Sequence, residues 1–239
     1  MESHNILEYG EFISSVRQNR DSKFGFLLGA GTSLSSGVQS ASDCIWDWKR
    51  EIYCRYNESH RINFPDARSK FAKTQIQKWL DAQGGYPTLG AEDEYVFYAE
   101  KAHPIASDRV RYFNSLIHDK VPYVGYRLLC LLNKYSIVES VWTTNFDGMT
   151  ERAAHQMNIT PKVITLDNQQ DIYRTISSTE LMCISLHGDY KYSTLKNTSS
   201  ELDNQSEVFC QVMTYYFTTR HLVVLGYSGR DNSLMSALK

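Results

Sequence analysis

The chain has 239 residues, 42% of them hydrophobic and 22% charged, a globular composition long enough for one large α/β domain or a domain with an insert. A net charge of −2 and an isoelectric point near 6.4 give no sign of direct nucleic-acid binding or of attraction to an anionic membrane. No 18-residue apolar run is present, which excludes a transmembrane helix, and the N-terminus lacks the basic start and apolar core of a secretion signal. Five cysteines, Cys44, Cys54, Cys130, Cys183 and Cys210, include no C-x-x-C pair. A disulfide framework and a four-thiolate zinc site are therefore not expected, and the sequence reads as a cytoplasmic protein without a metal.

In chain order, residues 6–19 carry a helical stripe of Ile6, Leu7, Phe12, Ile13 and Val16. "KFGFLLG" reads as a buried strand ended by glycine, and residues 42–55 as a helix beyond a glycine-rich loop, the first half of a βαβ unit. Residues 57–120 are polar, punctuated by "GGYP" and "HP", and hold helical stretches without a buried strand; they are expected to form a helical insert that lids the first βα loop. From Tyr123 strands and helices alternate: a helix at 123–135, strands in "IVESVWTTN", "KVITL", "LMCISLHG" and "HLVVLG", and helices at 147–157, 207–220 and from 231. This alternation predicts an α/β fold, a doubly wound, mostly parallel Rossmann-like sheet. The polar stretch 193–206 is expected to be a mobile loop. Because the last helix reaches Lys239 without a stop signal, the chain is expected to be the N-terminal part of a longer protein.

Four strands end in polar clusters: Gly29-Ala30-Gly31-Thr32-Ser33, Thr143 to Asp147, His187-Gly188-Asp189, and Gly226 to Asp231. In a doubly wound sheet such ends face one crevice, where ligands bind. The first cluster fails the dinucleotide fingerprint because Leu34 stands where its third glycine belongs, and no phosphate-binding lysine loop exists. Glycine still permits close backbone approach, and Thr32, Ser33 and Ser36 offer donors near a helix start, so the loop is read as a phosphate cradle.

"GAGTSLSSGV", "TTNFD", "LHGD" and "VLGYSGRD", in this order, resemble the sirtuin superfamily and span nearly the whole chain as discontinuous motifs. The departures point to one branch. Gln39-Ser40-Ala41 replace the proline, aspartate and phenylalanine that continue a deacylase loop, Thr144 stands where glutamine is usual, and the paired zinc cysteines are missing. "WDWKREIYC", "GGYP" and "EDEYVFYAE" look like the bacterial sirtuin-like effector domains of anti-phage defence proteins. That resemblance implies a cytoplasmic bacterial NAD glycohydrolase, with NAD as its substrate, working as the toxic effector of an oligomer assembled through further modules and released by a phage-derived trigger. It implies Asn145 and His187 as catalytic residues, the asparagine orienting the ribose or a water and the histidine acting as base near neutral pH. Gly29, Ala30, Gly31, Thr32, Ser33, Ser36, Asp147, Gly226, Ser228 and Asp231 would hold the cofactor, Asp147 by anchoring either the loop or the ribose. A non-catalytic NAD or ADP-ribose sensor is the alternative, and a protein deacylase is the reading least favoured by these departures.

Overall fold

The computed structural model describes residues 6–19, 21–91, 93–165, 171–172, 177, 179–186, 206–229 and 232–238. The chain enters through helix α1 (Tyr9–Gln18) and strand β1 (Phe24–Leu28), which runs into a 3-10 helix (Ala30–Ser36). Five helices follow without a strand among the described residues: α2 (Ala41–Tyr56), α3 (His60–Asn63), α4 (Lys70–Gln83), α5 (Glu94–Ala102) and α6 (Ala106–Ile117). The α/β part resumes with α7 (Val124–Lys134), β2 (Val138–Thr143), α8 (Met149–Gln156), β3 (Thr160–Ile164) and β4 (Glu180–Ser185). It closes with α9 (Ser206–Phe217), β5 (His221–Leu225) and α10 (Asn232–Ala237).

All strand pairings are parallel, in the order β3-β4-β2-β1-β5, so the fold is Rossmann-like α/β. Parallel strands are covered on both faces, which explains their nearly continuous apolar runs. On one face α7 and α8 bury Tyr126, Leu129, Met149 and Ala153 against Leu28, Val141 and Cys183. On the other, α9 and α10 bring Val212, Met213, Tyr216 and Leu234 against Leu27, Trp142 and Ile184. The chain moves from β1 to β2, β3 and β4 on one side and returns to β5 on the other. Beside β1 is therefore the switch point, where connections diverge and open a crevice.

The helical block has a separate core. Trp48, Ile52 and Tyr53 of α2 pack with Ile76, Leu80, Tyr98, Ala99 and Phe113, and no sheet residue enters that cluster. α2 shares this core, turning its apolar stripe toward α4 and α5 instead of toward the sheet. Its start is fixed by a capping box in which Ser40 and Asp43 satisfy each other's backbone amides. At the centre of the block the fully buried Lys49 meets Glu94 and Gln77, with its ammonium over the Trp46 and Tyr98 rings.

The helix and the strand expected at the two ends of the chain both form, and both are open to solvent. The 6–19 stripe forms α1, yet none of its residues is buried, with Tyr9 79% exposed. β5 is the edge strand beside β1, and its Val224 and Leu225 are 44% and 43% exposed. The 193–205 stretch lies outside the described residues. No described helix is long and apolar enough to cross a membrane.

Removing one partner of a buried ion pair leaves the other charge uncompensated, at a cost of about 3–5 kcal/mol. Lys49→Ala should lose that much stability in urea unfolding, and adding Glu94→Leu to Lys49→Met should restore most of it.

Candidate functional site

Strand register sets the site. Leu28 of β1 pairs with Thr143 of β2 and Leu225 of β5, and Thr143 pairs with Ser185 of β4. Four strands therefore end in one row, and the polar clusters that follow β1, β2 and β5 start side by side.

The turns after β1 and β5 lie backbone to backbone. Gly29 N donates to Leu225 O at 2.9 Å and Gly31 N to Gly226 O at 2.9 Å. A Cβ on Gly29 would come within 2.5 Å of Gly226 O, and one on Gly226, where φ is +61°, within 2.5 Å of Thr32 N. The contact between the two protein turns by itself requires these glycines. Ala30 and Gly31 remain exposed.

The hydroxyls read as cofactor donors are turned inward. Thr32 Oγ1 donates to Gly29 O at 2.8 Å, the buried Ser33 hydroxyl donates to the Asp147 carboxylate, and Ser36 Oγ accepts from Tyr123 N at 3.0 Å. The expected flexible cradle is a 3-10 helix because these bonds, with the αL glycine Gly37 at its end, fold it back on itself. Asp147 is 5% exposed and also accepts from Met149 N at 2.9 Å, which holds the start of α8. Of the two roles expected for Asp147, the observed bonds are those of a loop anchor.

Asn145 joins the clusters. Its backbone N–H donates to Thr143 Oγ1 at 2.9 Å, while the Thr143 hydroxyl donates to Leu28 O at 3.1 Å. Its side-chain Nδ2 donates to Gly29 O at 3.0 Å and lies 3.1 Å from Ser33 Oγ and 3.3 Å from Thr32 Oγ1. With Oδ1 in that position two oxygens would confront each other at Gly29, so the amide orientation is fixed by its neighbours. No described residue donates to Asn145 Oδ1.

Residues that local sequence patterns did not single out complete the arrangement. Tyr126 of α7 brings its hydroxyl 2.8 Å from Ser33 Oγ and 3.1 Å from Thr32 Oγ1. Burial, with Asp147 nearby, pushes its phenol up to about 12. Arg152 donates to Asp147 O at 2.8 Å and to Lys120 O at 2.7 Å, bracing α8 against the end of the helical block. Phe146 packs on Phe113 of the block, with ring centroids 4.3 Å apart. A small cavity at the ends of β2 and β4 is lined by Thr143, Asn145, Asp147, Glu151 and Ser185, and both of its acidic residues are buried. Tyr126 carried one signal in the sequence: a tyrosine on a buried helix face needs a partner for its hydroxyl.

Gly226 and Ser228 are exposed beside this row, whereas His187 and Asp231 lie outside the described residues. Among the described residues no three His, Cys, Asp or Glu side chains are grouped to hold a metal.

The fold is a Rossmann-like α/β domain with polar turns converging at its switch point, the place where ligands bind in doubly wound sheets. The model of one family, the SIR2-like domain, matches residues 139–239, from β2 onward, and this match supports membership of the sirtuin-like superfamily. SIR2-like domains are commonly NAD-dependent enzymes, so the match suggests NAD-related activity in general. No curated protein matches the chain.

Overpacking a tight contact costs about 1–3 kcal/mol. Gly29→Ala should lower the thermal midpoint accordingly, while Ala30→Ser, one residue along on the exposed side, should leave it unchanged.

Proposed function

We propose that this domain hydrolyses NAD at the bond between nicotinamide and ribose, releasing nicotinamide and ADP-ribose. The observation that carries the reading is the carboxamide of Asn145. Its nitrogen is held by the β1 turn, and its oxygen stands at the converging strand ends with no described donor. A fixed acceptor of that kind suits a ribose hydroxyl or an attacking water.

In the reaction the bond from C1′ to the pyridinium nitrogen breaks and its electron pair leaves with neutral nicotinamide. The sugar becomes cationic, and the acidic residues Asp147 and Glu151 beside Asn145 provide a negative field that favours it. Water then attacks C1′ and gives its proton to a base. His187, two positions beyond the last residue of β4, is assigned that role from the sirtuin-like "LHGD" motif and from the neutral-range titration of imidazole. NAD is consumed here as substrate.

The departures from a deacylase loop at Gln39-Ser40-Ala41 and the missing zinc cysteines favour water over an acyl-lysine as acceptor. The resemblance of residues 46–54, 84–87 and 92–100 to anti-phage effector domains supports a toxic, NAD-depleting role in bacterial defence, exercised in an oligomer under a phage-derived trigger.

Pure protein incubated with NAD should release nicotinamide without any acetylated peptide, and chromatography should show no acetyl-ADP-ribose when the peptide is added. Loss of a general base removes about 10²–10⁴-fold in rate, so His187→Ala should fall by that order. Full turnover by His187→Ala would remove that residue from the mechanism. Tight NAD binding without turnover would replace the hydrolase reading by a sensor. Expression in bacteria should lower cellular NAD and slow growth, and Asn145→Ala should do neither.

A further inference from the structure

The orientation of the Asn145 carboxamide depends on where the protons around it go, and the Ser33 hydroxyl can be assigned. Ser33 gives its proton to the Asp147 carboxylate. It has none left for Tyr126, so in their 2.8 Å contact the Tyr126 hydroxyl gives its single proton to Ser33 Oγ, and its 3.1 Å contact with Thr32 Oγ1 is not a second donation. The Ser33 oxygen accepts from Tyr126 on one side and faces Asn145 Nδ2 on the other.

We propose that Tyr126 is a positioning residue of the site: its buried hydroxyl, donating to Ser33 Oγ, holds the Ser33 proton turned toward Asp147, and thereby keeps the Asn145 carboxamide with nitrogen toward the turn and oxygen toward the ligand. Reversing the amide would set Oδ1 against Gly29 O and would need a proton from Ser33 or Thr32. Taking it from Ser33 would strip the Asp147 oxygen of that donor while the phenol still donated to the same Ser33 oxygen. Tyr126 is 4% exposed and reaches the site from α7, across 93 residues of chain, so its hydroxyl acts from behind the turn rather than on the substrate. Part of this inference, the consequence for turnover, rests on the hydrolase reading.

The test uses the full chain labelled with ¹⁵N at asparagine. The side-chain pair of Asn145 is identified by its loss in Asn145→Ala, and its hydrogen exchange is compared in wild type and Tyr126→Phe. A net hydrogen bond is worth about 3–10-fold in an equilibrium, so exchange in Tyr126→Phe should accelerate by about that factor. Unchanged exchange in a folded Tyr126→Phe overturns the proposal. Should that variant fail to fold, 3-fluorotyrosine at position 126, which keeps the ring and makes the hydroxyl a stronger donor, should slow the exchange, and an unchanged exchange overturns the proposal.

Turnover supplies the second arm. For Tyr126→Phe, kcat for nicotinamide release should fall about 3–10-fold with KM unchanged, because the interaction acts through a group used on the reacting ribose. In an Asn145→Ala background the same substitution should cause no further loss, since its effect travels through Asn145. A full additional loss there overturns the proposal. If wild type releases no nicotinamide, the hydrolase reading fails, and the exchange measurement still decides the role of Tyr126.

Discussion

Asp147 is the fixed point of this structure. One carboxylate oxygen receives the Ser33 hydroxyl and the other the Met149 amide, so the end of β2 holds both the 3-10 turn after β1 and the start of α8. A buried carboxylate demands such donors, since leaving it without them would cost several kcal/mol. That demand gives a glycine- and serine-rich stretch a single conformation. Once the turn is fixed, Gly29 O and the two hydroxyl oxygens become a rigid surface against which the Asn145 amide is read.

The helical block is tied to the same point. Phe146, between Asn145 and Asp147, belongs by packing to the core of the block, and Arg152 links the Asp147 carbonyl to Lys120. Three successive residues thus bind three different parts: Asn145 the β1 turn, Phe146 the helical block and Asp147 the turn together with α8. The block therefore touches the residues that flank Asn145 directly.

Much of this was legible in the sequence because it rests on local pattern. The apolar runs at 24–28, 138–143, 181–185 and 221–225 and their polar ends gave strands, direction and a common crevice, and Asn145 stood out as an amide at a strand end. What was not legible depends on partners far apart in the chain. Tyr126 and Ser33 meet across 93 residues and Ser33 and Asp147 across 114, and no spacing rule reaches that far. The glycines of the first turn were visible, but the reason for them was not, because Gly226 opposes them from the other end of the chain. Likewise the stripe of α2 fixes a helix but not which neighbour it covers, and the helical block proved a stronger partner than the sheet.

The central claim is that Asn145 offers its carboxamide oxygen, not its nitrogen, to a ribose or to the water that attacks it. A high-resolution structure of the protein with bound ADP-ribose tests it most directly. The account predicts a ribose hydroxyl or a bridging water within hydrogen-bond distance of Asn145 Oδ1, while Nδ2 keeps its bond to Gly29 O. ADP-ribose bound away from the ends of β1, β2 and β5, or a reversed amide with Nδ2 on the ligand, would contradict it.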